Sequence, residues 1–218
     1  MYKYILFDLD GTLTDPKEGI TGCVRYALPF VGIDPPPADE LLDFIGPPLV
    51  DSFIRRFGMT KENAELALKK YRERFSTVGM FENRVYDGVP QMLEALKNAG
   101  CTLAVASLKP LVFVEKILER FSLSNYFSVV AGSDLEGKKH TKKQIIDDVL
   151  SSLSPIPKSD IVMVGDRHQD IEGAKQAGII SVGVTYGYAA CGELSGAGAH
   201  FICDSPDDVA KTILCNNL

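Results

Sequence analysis

The apolar run Tyr4-Ile5-Leu6-Phe7 lies close to the start of the chain and ends in Asp8-Leu9-Asp10-Gly11-Thr12. It is short, β-prone and without helical periodicity, the pattern of a strand buried on both faces of a parallel sheet. Such a strand needs helices above and below it, and no other feature restricts the fold as much. Period-2 geometry puts Asp8 and Asp10 on one side of the chain and Leu9 on the other. Gly11 permits a sharp turn, and Thr12 can hydrogen-bond within it. Two carboxylates at the end of a buried strand repel each other unless a cation neutralises them or one takes a proton. An ordinary Asp-Gly turn is the competing explanation, which the rest of the chain has to weigh.

Residues 15–85 read as helix only. Segments 18–31, 39–45, 49–57 and 60–76 carry the pattern, broken at Asp34-Pro35-Pro36-Pro37 and Gly46-Pro47-Pro48. With no strand among them, they predict a small all-α domain inserted after the first strand. From Asp87-Gly88 onward strands and helices alternate. Strands are expected over 101–106, 127–131, 161–164 and 179–184, with a short one around Phe201-Ile202. Helices are expected over 89–98, 110–121, 141–150 and 169–177, with a closing one from Pro206. This alternation predicts an α/β fold, a Rossmann-like doubly wound parallel sheet, built from residues 1–14 and 86–218, with residues 15–85 as the helical insert.

Ligands of such sheets bind beyond the carboxyl ends of the strands. The first strand ends in Asp8 and Asp10, the second in Ser107, and the fourth in Gly165-Asp166-Arg167. Any one of these is ordinary turn chemistry; three together make a shared site the better reading. Asp8, Asp10 and Asp166 supply oxygen ligands suited to a hard divalent cation, magnesium before zinc. Asp170 supports them from the next helix or simply favours that helix's N-terminus. Ser107 offers a hydroxyl and nearby backbone N–H groups to an anion, or caps the helix expected from Pro110. A lysine is needed as well. Lys109, Lys138, Lys139, Lys142 and Lys143 are candidates, and chemistry alone does not choose among them.

The 218 residues are 45% hydrophobic and 24% charged, ordinary for a protein with a real core. A net charge of -6 argues against general affinity for nucleic acid or anionic membrane. No apolar run approaches the roughly 20 residues of a membrane helix, and no signal-peptide pattern opens the chain. Cys23, Cys101, Cys191, Cys203 and Cys215 are odd in number and scattered, which fits reduced thiols and a cytoplasmic setting.

Taken together, Asp8-Leu9-Asp10-Gly11-Thr12, Ser107, a lysine near a helix start, and Gly165-Asp166-Arg167-x-x-Asp170 resemble the four motifs of the haloacid dehalogenase superfamily. The helical insert resembles its type-1 cap. Gly46-Pro47-Pro48-Leu49, Tyr86-Asp87-Gly88-Val89 and Gly137-Lys138-Lys139-His140-Thr141-Lys142 resemble segments of its phosphoglycolate phosphatase-like branch. The resemblance implies a magnesium-dependent phosphatase of a small phosphorylated metabolite, with a cap that closes over the site. Asp8 would be the nucleophile that forms an aspartyl-phosphate. Asp10 would be the general acid and base, with its backbone carbonyl toward the metal. Gly11, Thr12, Ser107 and Lys142 would bind the phosphate, with Lys138 and Lys143 in reserve for the lysine. Arg167 is expected to serve local structure. Lys17, Arg25, Arg55 and Arg84 are cap charges that either meet the leaving group or simply face solvent.

The alternatives are a 5'-nucleotidase or another sugar or nucleotide phosphatase of the same family, a phosphohexomutase, and a non-catalytic phosphate-binding protein. No histidine lies between Thr14 and Tyr86 to serve a mutase as cap base, and both Asp8 and Asp10 are present, against the non-catalytic reading. Neither the substrate nor the oligomeric state is legible.

Overall fold

The computed structural model describes residues 2–135, 141–153 and 155–215. In chain order its strands and helices are β1 Tyr4–Phe7, β2 Thr14–Asp15, α1 Lys17–Ala27, α2 Leu49–Phe57, α3 Lys61–Phe75 and β3 Arg84–Val85. They continue with α4 Val89–Asn98, β4 Thr102–Pro110, α5 Leu111–Arg120, β5 Phe127–Ser133, α6 Lys142–Leu153 and β6 Ile161–Gly165. The last are α7 His168–Ala177, β7 Ile180–Val184, α8 Glu193–Ala197, β8 Phe201–Cys203 and α9 Pro206–Cys215. The chain divides into two compact units, Met1–Thr14 with Val85–Leu218, and Asp15–Arg84.

The larger unit is a six-stranded sheet in the order β5-β4-β1-β6-β7-β8, with every pair parallel. The chain builds outward from β1 to β4 and β5, then returns to lay β6, β7 and β8 on the other side. The strand order therefore reverses beside β1, and ligands bind at such a point. Ile5, Leu6 and Phe7 are fully buried, as expected of a strand covered on both faces. On one face Leu6, Ala104, Ala106 and Met163 pack with Ile145, Ile146 and Val149 of α6 and Ala174 of α7. Helices α4, α5 and α9 cover β4, β5 and β8 from the other side.

The smaller unit is helical. Its core holds Ile20, Cys23 and Val24 of α1, Phe53 of α2, and Ala64, Ala67, Tyr71 and Phe75 of α3. Arg74 clamps Glu82 with two bonds of 2.7 and 2.9 Å. Thr60 caps α3 by accepting from the Asn63 N–H at 3.3 Å. Three of the four cap charges named above have partners inside this unit. Lys17 meets Asp39 at 2.6 Å, Arg84 meets Asp15 at 2.8 Å, and Arg55 lies 4.0 Å from Asp43.

Three local differences from the sequence reading have physical causes. The helix expected over 18–31 stops at Ala27 and tightens into a 3₁₀ turn over Leu28–Val31, where Pro29 lacks the N–H that an α-helix needs. The second strand does not end at Ser107. It runs to Pro110, which pairs with Ser133, because a residue before proline is driven into extended backbone. Helix α5 consequently starts at Leu111 and has no side-chain cap, so Ser107 is not its N-cap. The two-residue strands β2 and β3 and the five-residue α8 are too short to leave a periodic trace. No helix of the described residues is long and apolar enough to cross a membrane.

Candidate active site

The carboxyl ends of β1, β4 and β6 bring Asp8, Asp10, Ser107 and Asp166 into one region of the larger unit, all of them buried. The Asp8 N–H extends the ladder by donating to Val164 O at 2.9 Å, so the nucleophile candidate is fixed by the sheet itself. Lys142, the first residue of α6, is also buried. Its ammonium lies 2.9 Å from Asp8 Oδ1 and 2.6 Å from Asp170 Oδ1, and it donates to Ala106 O at 2.9 Å. Lys143 instead pairs with Asp147 along the helix. Lys138 and Lys139 lie outside the described residues.

Asp8, Asp166 and Asp170 have carboxylate oxygens within 4.8 Å of one another. Asp170 accepts from the Arg167 N–H at 3.0 Å, so it caps α7 and faces Lys142 at once. The side chain of Asp10 points elsewhere: its Oδ2 pairs with Lys109. The third carboxylate beside Asp8 and Asp166 is therefore that of Asp170, not that of Asp10.

The electrostatics are those of a site short of positive charge. Burial raises Asp166 well above the ordinary carboxyl range, with the charges of Asp170 and Asp8 adding to it. Burial and the Asp8 charge push Asp170 up to about 6 against the pull of Lys142. Burial also raises Asp10, opposed by Lys109. Burial alone would lower Lys142, but Asp170 and Asp8 reverse this and hold its ammonium above the usual value. Asp166 Oδ1 is buried with no hydrogen-bond partner among the described residues. An orphaned carboxylate oxygen and an oxygen-only donor set of three clustered carboxylates fit a hard divalent cation.

Support for Asp166 comes from the loop between β7 and α8. The Tyr188 N–H donates to Asp166 Oδ2 at 2.7 Å, and the Tyr186 hydroxyl donates to Thr12 O at 3.1 Å. Glu193 pins that loop. It accepts from Ala190 N–H at 2.9 Å, His168 N–H at 2.9 Å and Arg167 Nε at 3.0 Å. Arg167 thus has the local structural role expected of it. Gly11 and Thr12 form the turn after β1. The Gly11 N–H donates to Thr14 O at 2.8 Å, while Thr12 Oγ1 is buried and unpartnered among the described residues. Lys109 stood among five interchangeable lysines, and Glu193 and the Tyr188 N–H left no signal at all, since a backbone donor has no residue signature.

Residues 5–184 match a family model described as haloacid dehalogenase-like hydrolase. A Pseudomonas aeruginosa protein named 5'-nucleotidase is 45% identical over 193 residues, spanning 88% of this chain and 87% of its own length. A Vibrio parahaemolyticus protein named phosphoglycolate phosphatase is 30% identical over 220 residues, spanning 97% of this chain and 96% of its own. The crystal structure of a predicted phosphatase from Clostridium acetobutylicum has a TM-score of 0.94 and 45% identity, covering 98% of this chain and 99% of that one.

Proposed function

Because the chain belongs to the haloacid dehalogenase-like hydrolase family and is one of its phosphatases, we propose that it hydrolyses a small phosphomonoester through a phosphoryl group carried on Asp8. The observation that carries this reading is Asp8 itself, a buried carboxylate at the end of the central strand with the Lys142 ammonium 2.9 Å away.

Asp8 and Asp166 would hold a magnesium-class cation, joined by the Asp10 backbone carbonyl that the family resemblance implies. Asp170 keeps Lys142 and the start of α7 in place beside them. When bound, the cation supplies positive charge that makes the meeting of carboxylate and phosphate tolerable. An Asp8 oxygen attacks phosphorus as the ester bond breaks, and the departing oxygen takes its proton from Asp10. Asp10 then receives a proton from the water that hydrolyses the acyl phosphate. Lys142 and Ser107 hold the phosphate oxygens through both steps. Burial helps by keeping competing water away from these charges.

For the substrate, the sequence resemblance favoured small metabolites without ranking them, phosphoglycolate among them. The higher identity to the protein named 5'-nucleotidase supports placing nucleoside 5'-monophosphates ahead of phosphoglycolate. Phosphate release from nucleoside 5'-monophosphates, phosphoglycolate and sugar phosphates, with and without magnesium, ranks these classes. Asp8→Asn should lose at least about 1,000-fold in turnover on every substrate while keeping its circular dichroism spectrum. Native-rate turnover by that variant would overturn the mechanism, and no release from the whole panel by the native chain would overturn the activity.

A further inference from the structure

Asp10 is held from one side only. Its Oδ2 pairs with the Lys109 ammonium, and the two side chains are 9% and 7% exposed. Its Oδ1 is buried with no hydrogen-bond partner among the described residues. Strand β4 sets this arrangement. It continues past Ser107 to Pro110, and the Lys109 N–H rests on Ser107 Oγ at 3.3 Å. A Cβ on Gly132 would come within 2.7 Å of Lys109 O, so β5 lies directly against the segment. Ordering a lysine side chain costs rotamer freedom, and a charge-assisted pairing such as that with Asp10 offsets it. Asp8 and Asp170 have a counter-charge of their own in Lys142.

We propose that Lys109 is a positioning residue for Asp10. It grips Oδ2 and leaves Oδ1 as the oxygen that carries the proton to the departing alcohol. The inference rests on the phosphatase reading above. In the step concerned, phosphorus bonds to an Asp8 oxygen while its bond to the ester oxygen breaks. The proton on Asp10 Oδ1 passes to that ester oxygen, and Asp10 is left as a carboxylate paired with the Lys109 ammonium. Without the grip the carboxyl can turn among its rotamers, and misplacement by about 1 Å can cost on the order of 100-fold in rate.

The test compares kcat/KM on two kinds of ester, because that ratio reports phosphoryl transfer to Asp8. An alkyl phosphate from the active panel needs its leaving oxygen protonated, whereas p-nitrophenyl phosphate releases a stable phenolate. Lys109→Met should lose about 10- to 100-fold on the alkyl ester and no more than about 3-fold on the aryl ester. Inhibition by inorganic phosphate should be unchanged, and Lys109→Arg should recover part of the alkyl activity. Combined with Asp10→Asn, the Lys109→Met change should add no further loss, as expected when one residue acts through the other. Equal losses on both esters would make Lys109 structural, and weaker phosphate inhibition would make it a phosphate anchor; either result overturns the proposal. A native chain inactive on every ester would remove the phosphatase reading and this inference with it.

Discussion

Gly11 determines where Asp166 can stand. Its φ is +82°, a conformation that costs an L side chain roughly 1–2 kcal/mol. The steric term is larger, because a Cβ there would sit 2.1 Å from Asp166 Oδ2. Gly11→Ala must therefore displace the carboxylate proposed to hold the cation. We expect this variant to stay folded, to lose at least about 100-fold in kcat/KM, and to bind magnesium more weakly by titration calorimetry. Unchanged metal affinity would show that Asp166 can be held from elsewhere. Lys142 depends on a glycine in the same way. A Cβ on Gly173 would come within 2.8 Å of its Cβ and Cγ, so α6 reaches the site only because α7 has no side chain at that point.

Among the elements, the loop between β7 and α8 acts as one tied unit through Glu193. Burial works to raise the Glu193 carboxyl, but the His168, Ala190 and Arg167 donors overcome it and hold its pKa down from 4.5 to about 2. A carboxyl held below its unfolded value stabilises the fold once pH exceeds that value, and the contribution fades as the folded carboxyl is protonated. Glu193→Gln should thus be less stable than the native chain by about 1–3 kcal/mol above pH ~4.5. The difference should close as pH falls toward 2. Paired denaturant titrations across that range check it, and a difference independent of pH would mean that packing rather than charge ties the loop. The same extension of secondary structure explains Lys109: three extra residues of β4 turned a lysine expected on a loop into a partner of Asp10.

At the scale of the whole molecule, the buried site sets the four carboxylates of Asp8, Asp10, Asp166 and Asp170 against the two ammoniums of Lys109 and Lys142. Fully ionised, these described groups sum to two negative charges, a deficit that one divalent cation would fill. Binding should therefore stabilise the fold by about 2.7 kcal/mol at 100 times the dissociation constant. For a chain of this size the melting temperature should rise by about 5–10 °C. Asp166→Asn should melt higher than the native chain in EDTA, since one buried charge is gone and the amide oxygen still accepts from Tyr188. It should also gain almost nothing from magnesium. Equal gains in both proteins would locate the cation effect outside this site.

Much of this molecule was legible in one dimension because its signals are local. Apolar runs of strand length alternate with helical periodicity, which leaves a parallel sheet with helices on both faces as the consistent solution. Asp8, Asp10 and Asp166 follow strands and Ser107 lies among the last residues of one, so the rule about strand ends was enough to gather them. What the sequence could not decide depends on contacts between distant segments. Lys142 rather than Lys143 reaches Asp8, and α6 can lie there because Gly173 of α7 has no side chain. Asp170 rather than the Asp10 side chain completes the acidic cluster, while Asp10 pairs with Lys109. Asp166 is steadied by the N–H of Tyr188, a group every residue but proline carries, so only the fold that brings it to 2.7 Å gives it a role.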